Sequence, residues 1–136
     1  MFFLDKLKLY SSTNSLFNEE SWYTFDNVKL ENIKANAKAL LHFIYKDTYI
    51  NNFEVNNISC VGDSEDSSII LFDSSELGNS LSINNLNIKN SSSNGSFIKI
   101  IGNASEVTIN NSNLNGLISY GSLINNLSTK VLLLIN

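Results

Sequence analysis

The sequence predicts an all-β fold, a parallel β-helix of about four to five coils, each with roughly 26 residues and three short strands. Three observations support this. A motif of alternating apolar residues that includes asparagine recurs along the chain, at residues 28–33, 53–58, 81–86 and 107–112. A second motif, Gly-Ser-apolar-Ile, recurs at residues 95–98 and 121–124. The chain has no proline, so every backbone N–H can take part in a hydrogen-bonded ladder.

One repeat shows how the predicted elements follow one another. Alternation of apolar and polar residues with period two predicts a strand, and Asn and Gly tolerate the left-handed backbone of sharp corners. The predicted order is a strand at 81–83, a turn at Asn84-Asn85, a strand at 86–88, a loop at 89–96, a strand at 97–101 and a connection at 102–105.

Stacking of such coils places equivalent residues above one another, about 4.8 Å apart. Phe97 is predicted to lie between Ile69 and Leu123. The predicted internal apolar column contains Leu30, Val55, Ile83, Ile109 and Ile135. The predicted internal or corner ladder of hydrogen-bonded asparagines contains Asn32, Asn57, Asn85 and Asn111.

The first 27 residues fit the repeat less well. We expect residues 1–27 to form an irregular cap or a first partial coil, with strands near 7–9 and 22–25, and residues 28–136 to form the β-helix. Because the last residues, 132–136, fall in the middle of a repeat, we also expect the chain to be a piece of a longer protein.

Residues 33–44 leave two structures open. Ile33, Ala37, Leu40, Leu41 and Ile44 have helical spacing, and the alanines there favour a helix. Residues 40–43 also occupy the position that residues 69–72 hold in the next coil, which favours a strand. The strand is the prediction, and the helix is the alternative.

The composition excludes several kinds of partner. The net charge is −4 and the chain has no arginine, whereas nucleic-acid binding needs a basic surface. No apolar run reaches the ~18 residues of a membrane-spanning helix. Cys60 is the only cysteine, so no internal disulfide can form. It is interpreted as a small buried apolar residue, with a reactive thiol as the alternative.

The apolar columns and paired asparagines of residues 28–136 resemble the right-handed parallel β-helix, or pectin-lyase-like, superfamily. The Asn- and Ser-rich turns, such as Asn94-Gly95-Ser96, are also similar to extracellular β-helix repeats of surface and scaffold proteins in anaerobic gut fungi. The resemblance implies right-handed coils and an extracellular or cell-surface location. Many members of the superfamily cleave acidic polysaccharides with calcium-binding or clustered aspartates and with Arg, Lys or His, and that set has no counterpart in this chain.

Few residues remain as candidates for chemistry. His42, the only histidine, lies in an apolar run and is interpreted as an outward strand residue or a satisfied core residue. The acidic cluster Asp63-Ser64-Glu65-Asp66 is interpreted as a solvated loop, with a calcium site as the alternative. We therefore predict no catalytic residue, no metal and no cofactor. The Asn-x-Ser/Thr pattern occurs at Asn57, Asn90, Asn94, Asn103, Asn110 and Asn126, and Asn90, Asn94 and Asn103 are the predicted glycosylation sites.

Three functions follow from this pattern. The first is a non-catalytic scaffold module, a rigid spacer whose partners are neighbouring coils of the parent chain or end-to-end copies of itself. The second is a binding module for carbohydrate or a surface protein, for which Tyr45, Tyr49 and Tyr120 are the candidate glycan contacts. The third is a polysaccharide lyase or hydrolase.

Overall fold

The computed structural model describes residues 2–10, 22–62, 67–74, 76, 78–103, 106–129 and 132–135. These residues form strands and connections, and none of them lies in a helix. The strands are β1 (Phe2–Tyr10), β2 (Trp22–Ala35), β3 (Ala39–Ile44), β4 (Asp47–Cys60), β5 (Ser68–Asp73), β6 (Leu81–Lys89), β7 (Ser92–Ser93), β8 (Ile98–Ile101), β9 (Glu106–Asn110), β10 (Asn113–Asn115), β11 (Ile118–Ser119), β12 (Ile124–Asn126) and β13 (Leu132–Ile135).

The strands form the two walls of a parallel β-solenoid. In the first wall, strands pair in the order β1-β2-β4-β6-β9-β13, with β7, β10 and β11 continuing the upper coils. In the second wall, the order is β12-β8-β5-β3. The chain alternates between the walls and returns to each one a level higher. The described residues therefore make about four coils, which we number by their spans: coil 1 (22–46), coil 2 (47–79), coil 3 (80–105) and coil 4 (106–131).

Residues with positive φ bend the first wall twice in each coil. Asn52 (φ 56°) and Asn57 (φ 54°) lie five residues apart within β4. The same spacing recurs at 27 and 32, at 85 and 90, and at 111 and 116, where Gly116 has φ 63°. Asparagine and glycine are the residues that adopt this conformation at least cost. The first wall of each coil thus has three straight segments, and the second wall adds one more. In coil 3 these segments belong to three strands, β6, β7 and β8.

The register confirms part of the predicted apolar column and corrects the rest. Ile83 pairs with Ile109, and Ile109 pairs with Ile135, as predicted. Below Ile83, however, lies Ile50, and the residue above Val55 is Ile88. The five predicted residues therefore belong to two rows. The Ile50 row contains Phe25, Ile50, Ile83, Ile109 and Ile135, and the Val55 row contains Leu30, Val55, Ile88 and Leu114.

The unequal length of the coils causes this correction. Asn27 and Asn52 are separated by 25 residues, whereas Asn52 and Asn85 are separated by 33. More residues separate β5 from β4 and from β6 in coil 2 than separate β3 from β2 and from β4 in coil 1. Both corners of a coil carry asparagine. An alignment that matches the second corner of coil 2, Asn57, with the first corner of coil 3, Asn85, therefore gives a step of about 28 residues, close to the length of an ordinary coil.

The core between the walls is filled by large side chains. Phe53 and Phe72 are fully buried, and Phe97 is 2% exposed. Phe97 lies between Ile69 and Leu123 as predicted, because its carbonyl accepts from Ile69 N at 3.0 Å and its N–H donates to Leu123 O at 3.0 Å. The strand prediction for residues 33–44 is confirmed, since Ala39–Ile44 forms β3 and pairs with β5 in the predicted register, with Leu41 opposite Ile70.

The two ends of the solenoid differ. At the lower end, β1 runs antiparallel to β2, with Phe2 opposite Leu30 and Tyr10 opposite Trp22. Residues 7–9 are a strand as predicted, and residues 22–25, also a predicted strand, belong to β2 and begin the first wall of coil 1. At the upper end, β13 lies on β9, while the next two segments of coil 4, β10 and β11, have no described strand above them.

Candidate functional site

Two hydrogen-bonded ladders follow the outside of the first wall. Every donor is a positive-φ asparagine, and the acceptors are positive-φ asparagines except in the upper step of each ladder, where they are Asn84 and Asn56. In the first ladder, Asn52 Nδ2 donates to Asn27 Oδ1 at 2.9 Å, and Asn85 Nδ2 donates to Asn52 Oδ1 at 2.8 Å. At its top, Asn111 Nδ2 donates to Asn84 Oδ1 at 3.3 Å. Each of these bonds runs from a coil to the coil below, so the first ladder has a direction: donors point down and acceptors point up.

The second ladder begins with Asn57 Nδ2, which donates to Asn32 Oδ1 at 2.7 Å. One coil higher, Asn90 Nδ2 donates to Asn56 Oδ1 at 3.4 Å. Gly116 takes the corner position above Asn90, where a Cβ would lie 2.9 Å from Asn90 Oδ1. The second ladder therefore has no side chain at its top.

The ladder prediction needs the same correction as the column. Asn32 and Asn57 belong to the second ladder, whereas Asn85 and Asn111 belong to the first. All four side chains are exposed, so the ladders lie at corners and outside the core. Sequence reasoning missed Asn27, Asn52 and Asn90, although the five-residue spacing of asparagines at 27 and 32, 52 and 57, and 85 and 90 was a usable signal.

A third row, inside the solenoid, contains Cys60, Ser93 and Ser119, each a hydrogen-bond donor to a carbonyl in the coil below. Cys60 Sγ donates to Ala37 O at 3.5 Å, Ser93 Oγ to Ser67 O at 2.8 Å, and Ser119 Oγ to Gly95 O at 2.7 Å. We call Cys60, Ser93 and Ser119 the corner donor row. These donors satisfy carbonyls where the chain crosses between the walls.

Cys60 is therefore a buried member of a polar row. It is fully buried, and burial raises the pKa of its thiol, while a hydrogen bond with Ser67 acts in the opposite direction. A thiol held in its neutral form is a poor nucleophile. The position supports the interpretation of Cys60 as a small buried residue and adds that it donates a weak hydrogen bond.

A polar groove of about 330 Å³ follows the first ladder across coils 1 to 3. Its walls include Asn52, Asn85, Lys29, Glu54 and Asn87. The Oδ1 atom of Asn87 is buried, and no donor among the described residues reaches it. The groove thus presents amides, one positive group and one negative group, a set that suits a neutral ligand with hydroxyl or amide groups.

The three candidate tyrosines lie on different parts of the coils. Tyr45 is 47% exposed in the turn between β3 and β4, where its φ is 58°. Tyr49 is 40% exposed and belongs to the first segment of β4. Burial, and then the negative charges of Asp47 and Glu106, raise the pKa of Tyr49. Tyr120 is 83% exposed and follows β11 at the upper end. None of the three lines the polar groove.

The remaining sequence candidates are placed as follows. His42 is exposed on β3. The acidic cluster at residues 63–66 lies outside the described residues. Among the residues that the structure describes, no three His, Cys, Asp or Glu side chains come together as they do around a metal ion. No helix in the described part of the chain is long and apolar enough to cross a membrane.

The predicted glycosylation sites differ in how their amides are used. Asn90 is exposed and donates in the second ladder, whereas Asn94 is half-buried and its Nδ2 donates to Gly62 O at 3.2 Å. Asn103 is half-buried and its Oδ1 accepts from Thr129 Oγ1. Asn126 Oδ1 accepts from Ser128 N at 3.0 Å, and its side chain is exposed. Since a glycan is attached at Nδ2, the bonds that Asn90 and Asn94 make through this atom compete with modification, whereas Asn103 and Asn126 use Oδ1.

The upper end carries an apolar cavity of about 210 Å³. Its lower part is formed by Leu86 and Ile88 of coil 3, and its rim by Leu114, Leu123 and Ile135. The row that contains Val28, Phe53 and Leu86 ends at Ser112, which is too small to fill the space above Leu86. The sequence did not predict this cavity, because the cavity depends on how the residues of coil 4 and Ile135 pack over coil 3.

Comparison of the chain with known proteins found no matching family model, no matching curated protein and no matching solved structure.

Proposed function

We propose that this chain is a non-catalytic structural module, a rigid β-helical spacer in a secreted or cell-surface protein. The observation that carries the proposal is the continuity of the rows. Apolar side chains stack from coil to coil inside, as in the Ile50 row, and two amide ladders stack outside. Repeated contacts between neighbouring coils make a solenoid stiff along its axis, and each added coil lengthens it by about 4.8 Å.

The proposal includes membership of the right-handed, pectin-lyase-like β-helix superfamily and a likeness to the Asn- and Ser-rich repeats of gut fungal surface proteins. Two features support it. Parallel strands in one sheet are almost always connected by right-handed crossovers. The outer corners carry uncharged amides, the texture of those extracellular repeats. Glycans at Asn90, Asn94 and Asn103 belong to the same proposal, and intact-mass analysis of native protein is expected to show hexose additions.

A fusion experiment tests the spacer. The whole chain is placed between a donor and an acceptor fluorophore, and the distribution of transfer efficiency is compared with that of a Gly/Ser linker of equal length. A folded spacer of four to five strand levels has a height of about 20–25 Å and a narrow distribution. The flexible control has a broad distribution centred at about 60–70 Å. A distribution as broad as that of the control contradicts the proposal.

A carbohydrate-binding module is the second candidate, and the polar groove favours it. The amides of the first ladder and the side chains of Lys29 and Glu54 can bond sugar hydroxyls. Retention of the chain on insoluble polysaccharide, lost in Asn87→Ala but kept in Asn113→Ala, favours this function over the spacer. Asn113 is a matched control because it occupies the position equivalent to Asn87 one coil higher, outside the groove. Tyr45→Ala, Tyr49→Ala and Tyr120→Ala test whether the candidate tyrosines contribute to retention. Release of reducing or unsaturated sugars by the purified chain favours the third candidate, an enzyme.

A further inference from the structure

The polar groove repeats its lining from coil to coil. Each of coils 1 to 3 contributes the corner asparagine of the first ladder and the residue two positions later, which are Asn27 and Lys29, Asn52 and Glu54, and Asn85 and Asn87. Equivalent residues of adjacent coils lie about 4.8 Å apart. The groove is therefore a row of three similar levels that runs parallel to the solenoid axis.

The first ladder leaves hydrogen-bonding groups available at these levels. A side-chain amide has two N–H donors and an oxygen with two lone pairs. Asn52 uses one donor toward Asn27 and one lone pair toward Asn85, and Asn85 uses one donor toward Asn52. Both Asn52 and Asn85 are exposed. Each therefore keeps one N–H and at least one lone pair with which it can bond a ligand.

The charges that line the groove balance. Lys29 and Glu54 lie directly opposite each other in β2 and β4, and Lys29 Nζ is also 3.5 Å from a carboxylate oxygen of Glu31. An anionic chain would find no unpaired cation among the lining residues and would meet the carboxylate of Glu54. A hydroxyl, in contrast, can donate to Glu54 and accept from Lys29. The charges therefore favour a neutral ligand that carries hydroxyl groups.

The lining offers no aromatic surface for a sugar ring. Phe53 is the aromatic residue of the lining, and its side chain is fully buried. A ligand of the groove is therefore held along its edge by hydrogen bonds and not by stacking on its face.

The step between levels selects among extended ligands. An extended peptide advances about 3.3 Å per residue, so its hydrogen-bonding groups fall out of step with the coils. An extended chain of β-1,4-linked hexoses advances by close to one coil per sugar and presents equatorial hydroxyls along both edges. An α-1,4-linked chain curls and cannot follow a straight row.

We infer that the polar groove binds a neutral β-1,4-linked polysaccharide edge-on, with the sugar chain parallel to the solenoid axis and about one sugar per coil. This inference rests on the second candidate function, carbohydrate binding, and specifies its ligand. The expected affinity is weak, with a Kd of about 1 mM for a short oligomer, because each hydrogen bond exchanged with water contributes little.

NMR titration of the ¹⁵N-labelled full chain with cellohexaose tests the inference. The side-chain amide signals of Asn52 and Asn85 are expected to shift, whereas those of Asn32 and Asn57 in the second ladder stay in place. Maltohexaose tests the linkage, and a β-1,4-linked oligoglucuronate of equal length tests the charge. Both are expected to bind at least about tenfold more weakly than cellohexaose.

Asn52→Gly removes the central amide of the groove and keeps the left-handed corner. It is expected to weaken binding about three- to tenfold, the effect of one or two lost hydrogen bonds. Asn57→Gly is the matched control, because Asn57 has nearly the same φ and also donates in a ladder, but lies outside the groove. It is expected to keep the affinity of the parent chain. Circular dichroism shows whether both variants keep the β-structure.

The inference is overturned if cellohexaose does not bind, if maltohexaose or the oligoglucuronate binds equally well, or if the two glycine variants lose the same affinity. Retention on insoluble polysaccharide without shifts of the Asn52 and Asn85 signals would leave carbohydrate binding in place and reject the groove as its site. The failure of the inference is also distinguishable from that of the spacer, since a rigid chain that binds no sugar still gives the narrow transfer distribution.

Discussion

Leu30 and Leu114 are both leucines of the Val55 row, and they lie at opposite ends of the solenoid. Leu30 is 2% exposed and Leu114 is 40% exposed. Both point inward from the second segment of the first wall, and both have one coil of the chain on one side. The difference is that β1 covers the lower edge at Leu30, while no described strand lies above Leu114. Burial in this fold is therefore supplied by the covering strand and not by the local pattern of residues.

The ladders show the same contrast between a covered and an uncovered position. Asn52 both donates and accepts along the first ladder, whereas Asn111 forms its ladder bond to the coil below. Coil 4 has the inward residues and the left-handed corners of the coils below it. Coil 4 differs from the lower coils chiefly because no described strand lies above β10 and β11. We therefore expect its residues to contribute less to stability than the equivalent residues of the lower coils.

The largest expected difference is between Leu30→Ala and Leu114→Ala. Truncation of the buried Leu30 is expected to cost about 2–5 kcal/mol of unfolding free energy, because it leaves a cavity under β1. Leu114→Ala is expected to cost about 1 kcal/mol, since much of its side chain already contacts water. Urea unfolding of both variants, at a concentration where the chain is monomeric, measures the two values. Equal costs would contradict the view that the two ends are covered differently.

Alanine at a ladder corner comes next in size. Asn52→Ala is expected to cost about 2–3 kcal/mol, because alanine disfavours positive φ and two amide bonds are lost. For Asn111→Ala we expect about 1–2 kcal/mol, since only one ladder bond disappears. Asn52→Gly keeps the backbone conformation and is the control, with an expected cost of about 1 kcal/mol from the lost amide bonds. If Asn52→Gly is as damaging as Asn52→Ala, the amide ladder, and not the φ preference, dominates the effect.

The buried thiol of Cys60 makes the free energy of unfolding depend on pH. Burial raises its pKa in the folded chain, so above about pH 8.5 the unfolded chain loses the proton first. The unfolded state then binds fewer protons than the folded state, and stability falls as pH rises, by at most about 1.4 kcal/mol per pH unit. Urea unfolding between pH 8 and about pH 9.5 measures the slope.

Cys60→Ser is the control for the titration, because a hydroxyl does not ionise in this range and Ser93 occupies the same row one coil higher. The serine variant is expected to lose the alkaline slope while keeping the corner hydrogen bonds. The pKa of Tyr49 is also raised, and a phenol is still mostly protonated at about pH 9.5, so Tyr49 adds little to the slope in this window. An unchanged slope in Cys60→Ser would assign the pH dependence to another group.

The smallest expected effect is that of Gly116→Asn, which completes the second ladder at the uncovered end. Asparagine accepts the φ of 63° that Gly116 has, and the atom nearest the new Cβ is the end of the flexible Asn90 side chain. Stability is expected to change by less than about 0.5 kcal/mol, with Gly116→Val losing more than about 1 kcal/mol. Thermal unfolding of the two variants distinguishes them. A large loss in Gly116→Asn would show that the corner has no room for a ladder side chain.

The sequence predicted the repeat because the coils keep a step of about 26 residues where their connections are short. Ile83, Ile109 and Ile135 could be aligned on that basis, and so could residues 40–43 with 69–72. The register of Val55 could not, since coil 2 has longer connections and both corners of each coil carry the same asparagine signal. The exposure of Leu114 was not predictable either, because the inward residues of coil 4 follow the same sequence pattern as the buried residues of the coils below.

The register between coils 2 and 3 is the basis of every comparison above, and methyl-labelled NMR measures it directly. Strong nuclear Overhauser effects are expected between Ile50 and Ile83 and between Val55 and Ile88, the pairs that lie directly opposite in adjacent parallel strands. A strong effect between Val55 and Ile83, with none between Val55 and Ile88, would contradict the 33-residue coil, and with it the two rows and the two ladders.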